Sequence, residues 1–391
     1  MNLTFSEEQE MLRKAVRDFL EDKCPKKLVK QLEESEKGYS PDLWQEIAEL
    51  GWIGLAFPEK YGGSGMNFLD LVPLLEEMGR ACFPSPFFST VILGGLTILD
   101  VGNEEQREKY LPQIASGKQI FTLALAESDA RYDANSIKVK ATLKPLNQVQ
   151  GQGKSGSYII TGTKMFVPDA HIADYLLCVA RTKEGALKQV QGKEGISIFL
   201  IDAKSSGISY TLLNTIAKDK LCEVVLDQVQ VPKDNILGQL DQGWSKVPRI
   251  LERAAIAKCC EVVGNMQKVL EMTIDYAKER KQFDRPIGSF QAIQHYCADM
   301  ATDVDGARLA TYQAAWMLSQ GTSGTKEVAV AKAWVGEASQ RVTNLAHQIH
   351  GAIGATMEHD LHFYTRRAKA AELSYGDATF YREIVATEMG L

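Results

Sequence analysis

Apolar positions recur at helical spacing through residues 6–117, with Met11, Leu12, Val16, Phe19 and Leu20 in the first such run, and Ser6 followed by Gln9 supplies a capping box at its start. The pattern predicts an all-helical first domain, residues 1–118. Two turns punctuate it: Phe57-Pro58-Glu59-Lys60-Tyr61-Gly62-Gly63-Ser64-Gly65, and Val101-Gly102-Asn103-Glu104-Glu105-Gln106, whose acidic residues suit a helix start. Over residues 119–238 the period drops to two. Tyr158-Ile159-Ile160-Thr161-Gly162, Ile196-Ser197-Ile198-Phe199-Leu200-Ile201 and Val224-Val225-Leu226 read as strands of a β-barrel or sandwich domain. Two polar excursions, around 146–156 and 183–195, each carry Gln-Val-Gln-Gly and read as surface hairpin loops. From 239 to 391 long helical periods return, at 254–278, 292–320 and 326–350, with lengths suited to a four-helix bundle. The fold class is therefore α+β, helical at both ends with a β domain between. The bundle outruns what the first domain can cover, so part of its apolar surface is expected to pack on another copy.

Composition narrows the function. With 45% hydrophobic and 24% charged residues the chain reads as a globular protein, and no apolar run approaches the roughly 18 residues that span a bilayer. Its 44 basic and 50 acidic residues are mixed along the chain, which leaves no basic stripe for nucleic acid. Seven cysteines without CxxC spacing argue against a disulfide framework and a structural zinc site, and Cys259 and Cys260 fall in a helical pattern as core thiols. The amino terminus lacks the basic start and apolar core of a signal peptide, so a reducing, cytoplasmic compartment is expected.

The most informative stretch is Glu279-Arg280-Lys281-Gln282-Phe283-Asp284-Arg285-Pro286-Ile287-Gly288-Ser289-Phe290-Gln291. Arg280 offers a planar fork of donors suited to a pyrophosphate, Phe283 a ring face, and Gln291 an amide for polar edges. Four further motifs stand in order along the chain with it: Pro58-Glu59-Lys60-Tyr61-Gly62-Gly63, Ala126-Glu127, Val231-Pro232-Lys233-Asp234-Asn235-Ile236-Leu237-Gly238, and Gln348-Ile349-His350-Gly351-Ala352-Ile353-Gly354. Together they resemble the acyl-CoA dehydrogenase family over essentially the whole chain. The resemblance implies FAD, held between the β domain and the carboxy-terminal bundle, with the Arg280 and Gln348 segments contributed to the flavin of a neighbouring subunit. Gln348 would bind the dinucleotide linkage and Gly351 would allow close backbone approach. It also implies an acyl-CoA substrate, an electron-transfer flavoprotein as acceptor and a homotetramer built as a dimer of dimers.

Such a site removes the proton alpha to a thioester carbonyl and transfers a beta hydride to flavin N5, which calls for a carboxylate base, donors on the carbonyl and exclusion of water. Many relatives carry the base in a Tyr-Glu-Gly turn near the carboxy terminus, where this chain has Tyr375. Other relatives place a glutamate on the first bundle helix in a Glu-Arg pair, and Leu251-Glu252-Arg253-Ala254-Ala255 matches that pattern. Glu252 is thus the expected base with Arg253 beside the substrate, and Asp377 is the reserve. Tyr375 keeps a backbone N–H for the thioester carbonyl. The chain departs from the family at the flavin: Ala126-Glu127 replaces Thr-Glu, Arg131-Tyr132-Asp133 replaces Gly-Ser/Thr-Asp, and Phe166-Val167-Pro168 replaces Trp-Ile-Thr, so Pro168 brings neither a hydroxyl nor an N–H. Ala126 and Phe166 are the residues aligned with the ring-binding positions, and Phe166 and Trp244 are candidates for the acyl pocket. His347 with His350, and His359 with His362, have metal-ligand spacing but no accompanying acidic motif, and no metal is expected. The absence of arginine in 87–95 favours a neutral acyl group. Two alternatives stay open: a non-catalytic or half-site subunit of a heteromeric acyl-CoA dehydrogenase, and a flavin oxidase or monooxygenase of the same fold.

Overall fold

The computed structural model describes residues 4–129, 131–144, 156–183 and 195–391; the two Gln-Val-Gln-Gly segments lie outside these. In chain order the helices are α1 (Glu7–Lys23), α2 (Lys26–Glu34), α3 (Pro41–Glu49), α4 (Leu71–Ala81), α5 (Leu96–Val101) and α6 (Glu104–Ala115), then, after the strands, α7 (Val247–Glu279), α8 (Gln291–Ser319), α9 (Thr325–His350), α10 (Leu361–Leu373) and α11 (Ala378–Glu388). The strands are β1 (Phe121–Ala124), β2 (Lys140–Lys144), β3 (Ser157–Pro168), β4 (Tyr175–Arg181), β5 (Ile196–Asp202), β6 (Ile208–Leu212), β7 (Leu221–Pro232) and β8 (Ile236–Leu237), with a two-stranded hairpin of β9 (Lys281–Gln282) and β10 (Arg285–Pro286) between α7 and α8. The chain is helical in its first and last parts with a central mixed sheet. No helix of the described residues is long and apolar enough to cross a membrane.

Contacts divide the chain into two compact units: residues 1–31, 67–84 and 252–391 form one, and 32–66 with 85–251 the other. Helix starts follow the local signals. Ser6 Oγ accepts from the Gln9 N–H at 3.2 Å while Gln9 Oε1 accepts from the Ser6 N–H at 2.9 Å, which closes the expected capping box. Asn103 and Gln106 do the same for α6.

In the first unit α4 and α7 touch backbone to backbone. A Cβ on Gly79 would lie 1.9 Å from the Glu261 carbonyl oxygen, and one on Gly264 would lie 1.8 Å from that of Glu76, so each helix needs a glycine where the other crosses. Helices α7 and α9 run parallel and in register. Glu252 pairs with Thr325, 73 residues on, near their starts, and Tyr276 stacks on His350, 74 residues on, near their ends. Cys259 and Cys260 are buried thiols, as expected of core positions, and desolvation pushes the Cys259 thiol up to about 12.

In the second unit one eight-stranded sheet runs β6-β7-β3-β2-β4-β5-β8, with β1 added in parallel to β4. Strand β7 alternates buried and half-buried side chains in its first half, the period its sequence shows. Strands β4 and β5 are buried almost throughout, because both faces are covered; their apolar runs do not alternate. The core gathers Ile160, Leu176, Cys178, Phe199 and Val224. Lys164, fully buried, pairs with Glu127 at 2.7 Å, and Glu127 also accepts from the Lys138 and Val139 N–H groups. Between Lys164 and Val167 the pairing of β3 with β7 slips, forming a bulge that contains Phe166. A π-helix, Phe88–Gly95, is buried along its whole length.

Candidate active site

The register of α7 with α9 sorts the nominated residues of the first unit by place. At the shared carboxy-terminal end lie Arg280, directly after α7, and Gln348 and Gly351, at the end of α9; Gln291 opens α8 beside them. Local bonds hold this end together. Ile287 N donates to Arg280 O at 2.8 Å, Gly288 packs on the Ala277 carbonyl, and the Tyr276 hydroxyl reaches His350 O at 3.4 Å. Arg280, Phe283, Gln291 and Gln348 are all exposed. Gly351 has φ +62°, and a Cβ there would meet nothing within 4 Å, so its backbone can be approached closely.

Phe283 and Asp284 form the two-residue turn between β9 and β10. Both have positive φ, 53° and 61°, the conformation of a type I′ hairpin that ordinarily takes Asn-Gly. Phe283 is 87% exposed, so packing does not compensate for its strained backbone. Its ring meets Phe290 edge to face at 6.1 Å, and the Arg285 guanidinium lies 4.1 Å over the Phe290 ring.

Near the start of α7, Glu252 is half-buried and accepts from the Thr325 hydroxyl at 2.7 Å; Arg253 beside it is buried. Tyr375 stands in the turn between α10 and α11 at φ +59°, followed by Gly376 at +103°. The Tyr381 hydroxyl donates to Tyr375 O at 2.8 Å. Asp377 is the cap of α11, accepting from the Phe380 N–H at 2.8 Å, a role that occupies the reserve carboxylate in helix structure.

In the second unit the Ala126 carbonyl accepts from Met165 N at 2.9 Å, which ties it to the bulged part of β3. Phe166 is left-handed at φ +55° and 48% exposed. Pro168 offers no N–H, and its carbonyl accepts from the Thr122 hydroxyl at 2.6 Å. Asp133 caps a short turn through Asn135 and Ser136. Trp244 is half-buried in a 3-10 turn ahead of α7.

Among the described residues no group of three or more His, Cys, Asp or Glu is placed to hold a metal ion. His347 Nε2 lies 2.8 Å from Thr365 Oγ1, His350 Nδ1 lies 2.8 Å from Ala346 O, and His359 Nδ1 accepts from Leu361 N. Sequence reasoning did not find Thr325, Lys332 or the Lys164–Glu127 pair, since each matters only through a partner distant in sequence.

Exposed side-chain donors, the Arg280 guanidinium above all, with an open glycine and an exposed ring, suit a phosphate-bearing dinucleotide. Comparisons with known proteins identify the family. The chain matches the acyl-CoA dehydrogenase N-terminal domain over residues 6–118, the middle domain over 122–229 and the C-terminal domain over 241–390. It is 32% identical to the probable acyl-CoA dehydrogenase YngJ of Bacillus subtilis, covering 100% of both chains. It is 30% identical to the caffeyl-CoA reductase-Etf complex subunit CarC of Acetobacterium woodii, covering 98% of each. Among solved structures, a chain of the ChsE4-ChsE5 complex from Mycobacterium tuberculosis superposes with a TM-score of 0.87 at 28% identity, over 100% of this chain and 99% of that one. Three domain matches in order, with relatives aligned end to end, place the chain in the acyl-CoA dehydrogenase family of FAD-dependent oxidoreductases.

Proposed function

We propose that the chain oxidises a CoA thioester to its 2,3-enoyl form and passes the electrons to an electron-transfer flavoprotein. The observation that carries the reading is conformational. Among the described residues the aromatic side chains with positive φ are Phe166, Phe283 and Tyr375. The resemblance assigns all three to flavin or thioester contacts. A left-handed backbone costs a non-glycine residue about 1–2 kcal/mol, and such strain collects at functional sites.

Bound FAD supplies the hydride acceptor. Arg280 and Gln348 would hold the dinucleotide part of a neighbouring subunit's flavin through charge-assisted and amide hydrogen bonds, with Phe283 and Gln291 completing that end. Glu252 takes the alpha proton. Thr325 holds one carboxylate oxygen, which limits the rotamers the base can sample. The Tyr375 N–H donates to the thioester carbonyl as it gains enolate character. The buried segment Phe88–Gly95 carries no charged residue, which suits a neutral acyl group. The Etf named with CarC supports the same class of electron acceptor here.

A second reading is favoured by one set of positions. Tyr375 replaces the usual glutamate, Asp377 is engaged as a helix cap, and Pro168 lacks an N–H, so the chain would serve as the half-site subunit of a mixed assembly. The solved relative in the ChsE4-ChsE5 complex is itself one of two different chains.

An anaerobic titration of the purified, flavin-loaded protein with straight, branched and cyclic acyl-CoAs tests both. Bleaching of the flavin band by one thioester supports the dehydrogenase. A yellow protein that none reduces, but that reduces after a second chain is added, supports the half-site subunit. Oxygen consumption with substrate would instead indicate an oxidase.

A further inference from the structure

We propose that Lys332 is a positioning residue for the thioester site, holding the turn at 372–376 so that the Tyr375 backbone N–H is presented in one direction. The inference rests on the reading that this N–H receives the thioester carbonyl.

Lys332 lies two turns into α9 and is 2% exposed. Its Nζ donates to Glu372 O at 2.7 Å and to Gly376 O at 2.8 Å, across 40 and 44 residues of chain. The Glu372 carboxylate is engaged elsewhere, by Lys369 at 2.7 Å. Burial pulls the Lys332 pKa below the usual lysine range, the sign of an ammonium held in a poorly solvating place. An ion so buried is costly unless its hydrogen bonds are well made.

End-capping of α10 does not explain that cost. Ser374 already returns both its N–H and its hydroxyl to Ala370 O, at 3.1 and 2.7 Å. The second lysine bond goes beyond the helix end, to Gly376. That residue is confined: its φ is +103°, and a Cβ would lie 2.5 Å from the Phe380 ring. Tyr381 meanwhile fixes the Tyr375 carbonyl at 2.8 Å. The carbonyls of Glu372, Tyr375 and Gly376 are thus all anchored, two of them by Lys332. The Ser374–Tyr375 peptide, which carries the Tyr375 N–H, is bracketed between these fixed planes. Preorganised donors of this kind need no reorganisation as charge develops on a carbonyl oxygen.

The test compares ligand affinities, measured by calorimetry on the flavin-loaded assembly. One ligand is the 2,3-enoyl-CoA thioester, the product, which cannot reduce oxidised flavin; the other is the matching CoA thioether, which lacks the carbonyl oxygen. Wild type is expected to prefer the thioester by about tenfold, the worth of one well-placed hydrogen bond. Lys332→Met, which keeps the length and loses the donors, is expected to abolish that preference while binding the thioether as wild type does. A preference retained in Lys332→Met overturns the inference, and so does equal weakening of both ligands, which would mark a merely structural lysine. If wild type shows no preference, the Tyr375 reading itself fails. Should Lys332→Met not fold, Lys332→Gln keeps one donor and is expected to give an intermediate preference; a wild-type preference there overturns the inference as well.

Discussion

Phe283 and Asp284 occupy both central positions of the β9–β10 turn with φ of 53° and 61°, the one place in that hairpin where Asn and Gly would be the relaxed choice. Such strain at an exposed ring makes sense if the ring is being presented. Phe283→Asn combined with Asp284→Gly should therefore raise the stability of the apoprotein by roughly 1 kcal/mol and lower its retention of flavin. Melting temperature and the ratio of flavin to protein absorbance measure the two effects. A variant that is more stable and holds flavin as well as wild type would remove the functional reading of Phe283.

Helix α7 has 33 residues and so is about 50 Å long. Glu252 lies near its start and Arg280 just past its end, too far apart for one dinucleotide to meet both. If both residues act, they act on different flavins, and each site draws on two chains. Glu252→Gln is expected to keep flavin and thioester but slow reductive bleaching by a factor on the order of 10²–10⁴. Arg280→Ala is expected to lose flavin. Co-expressed, the two inactive variants should regain about a quarter of the wild-type sites by random pairing. No recovery would mean that Glu252 and Arg280 do not act together in one flavin site, and near wild-type bleaching in Glu252→Gln would show that the base lies elsewhere.

Much of this was legible in the sequence because it is local. Ser6 with Gln9 announces a helix start, and the long periods place α8, α9 and the end of α7 within a residue, whereas α7 begins at Val247, seven residues before the apolar period at 254–278. The flavin segment could be read since Arg280, Phe283 and Gln291 stand close together in the chain. What stayed hidden depends on pairing across it. Lys332 sits in the apolar run Val328-Ala329-Val330-Ala331-Lys332-Ala333, where a lysine reads as a solvated head on an apolar stem, and only the fold brings two carbonyls to it. The left-handed backbone of Phe283 gives no turn signal, since aromatic residues avoid that region. Strands β4 and β5 lose the period of two because both of their faces are covered.

The crossing of α4 on α7 allows a stability test away from the site. A Cβ on Gly264 would meet the Glu76 carbonyl at 1.8 Å, and backbone cannot yield as a flexible side chain can. Gly264→Ala gains helix propensity worth up to about 1 kcal/mol at an exposed position, but here overpacking should dominate. A net loss of roughly 1–3 kcal/mol in denaturant unfolding is expected. A neutral or stabilising outcome would show that the two helices separate at little cost.

Glu76, on α4 at the same crossing, is buried, and its Oε1 has no hydrogen-bond partner among the described residues. Desolvation raises its pKa from 4.5 to about 7; Tyr312, close by without a well-aligned hydrogen bond, and Arg308 and Arg13 only soften the effect. The folded state thus holds a proton that the unfolded chain releases near pH 4.5. Its contribution to stability is complete below that pH and is lost as pH rises toward 7, above which the protein carries an ionised carboxylate in an apolar place. Glu76→Gln, which cannot ionise, should gain stability relative to wild type between pH 5 and pH 8, by roughly 3 kcal/mol over the full window. Melting temperatures of the two proteins at those pH values decide it: parallel pH profiles would mean that Glu76 ionises at an ordinary carboxylate pH, with water reaching the crossing.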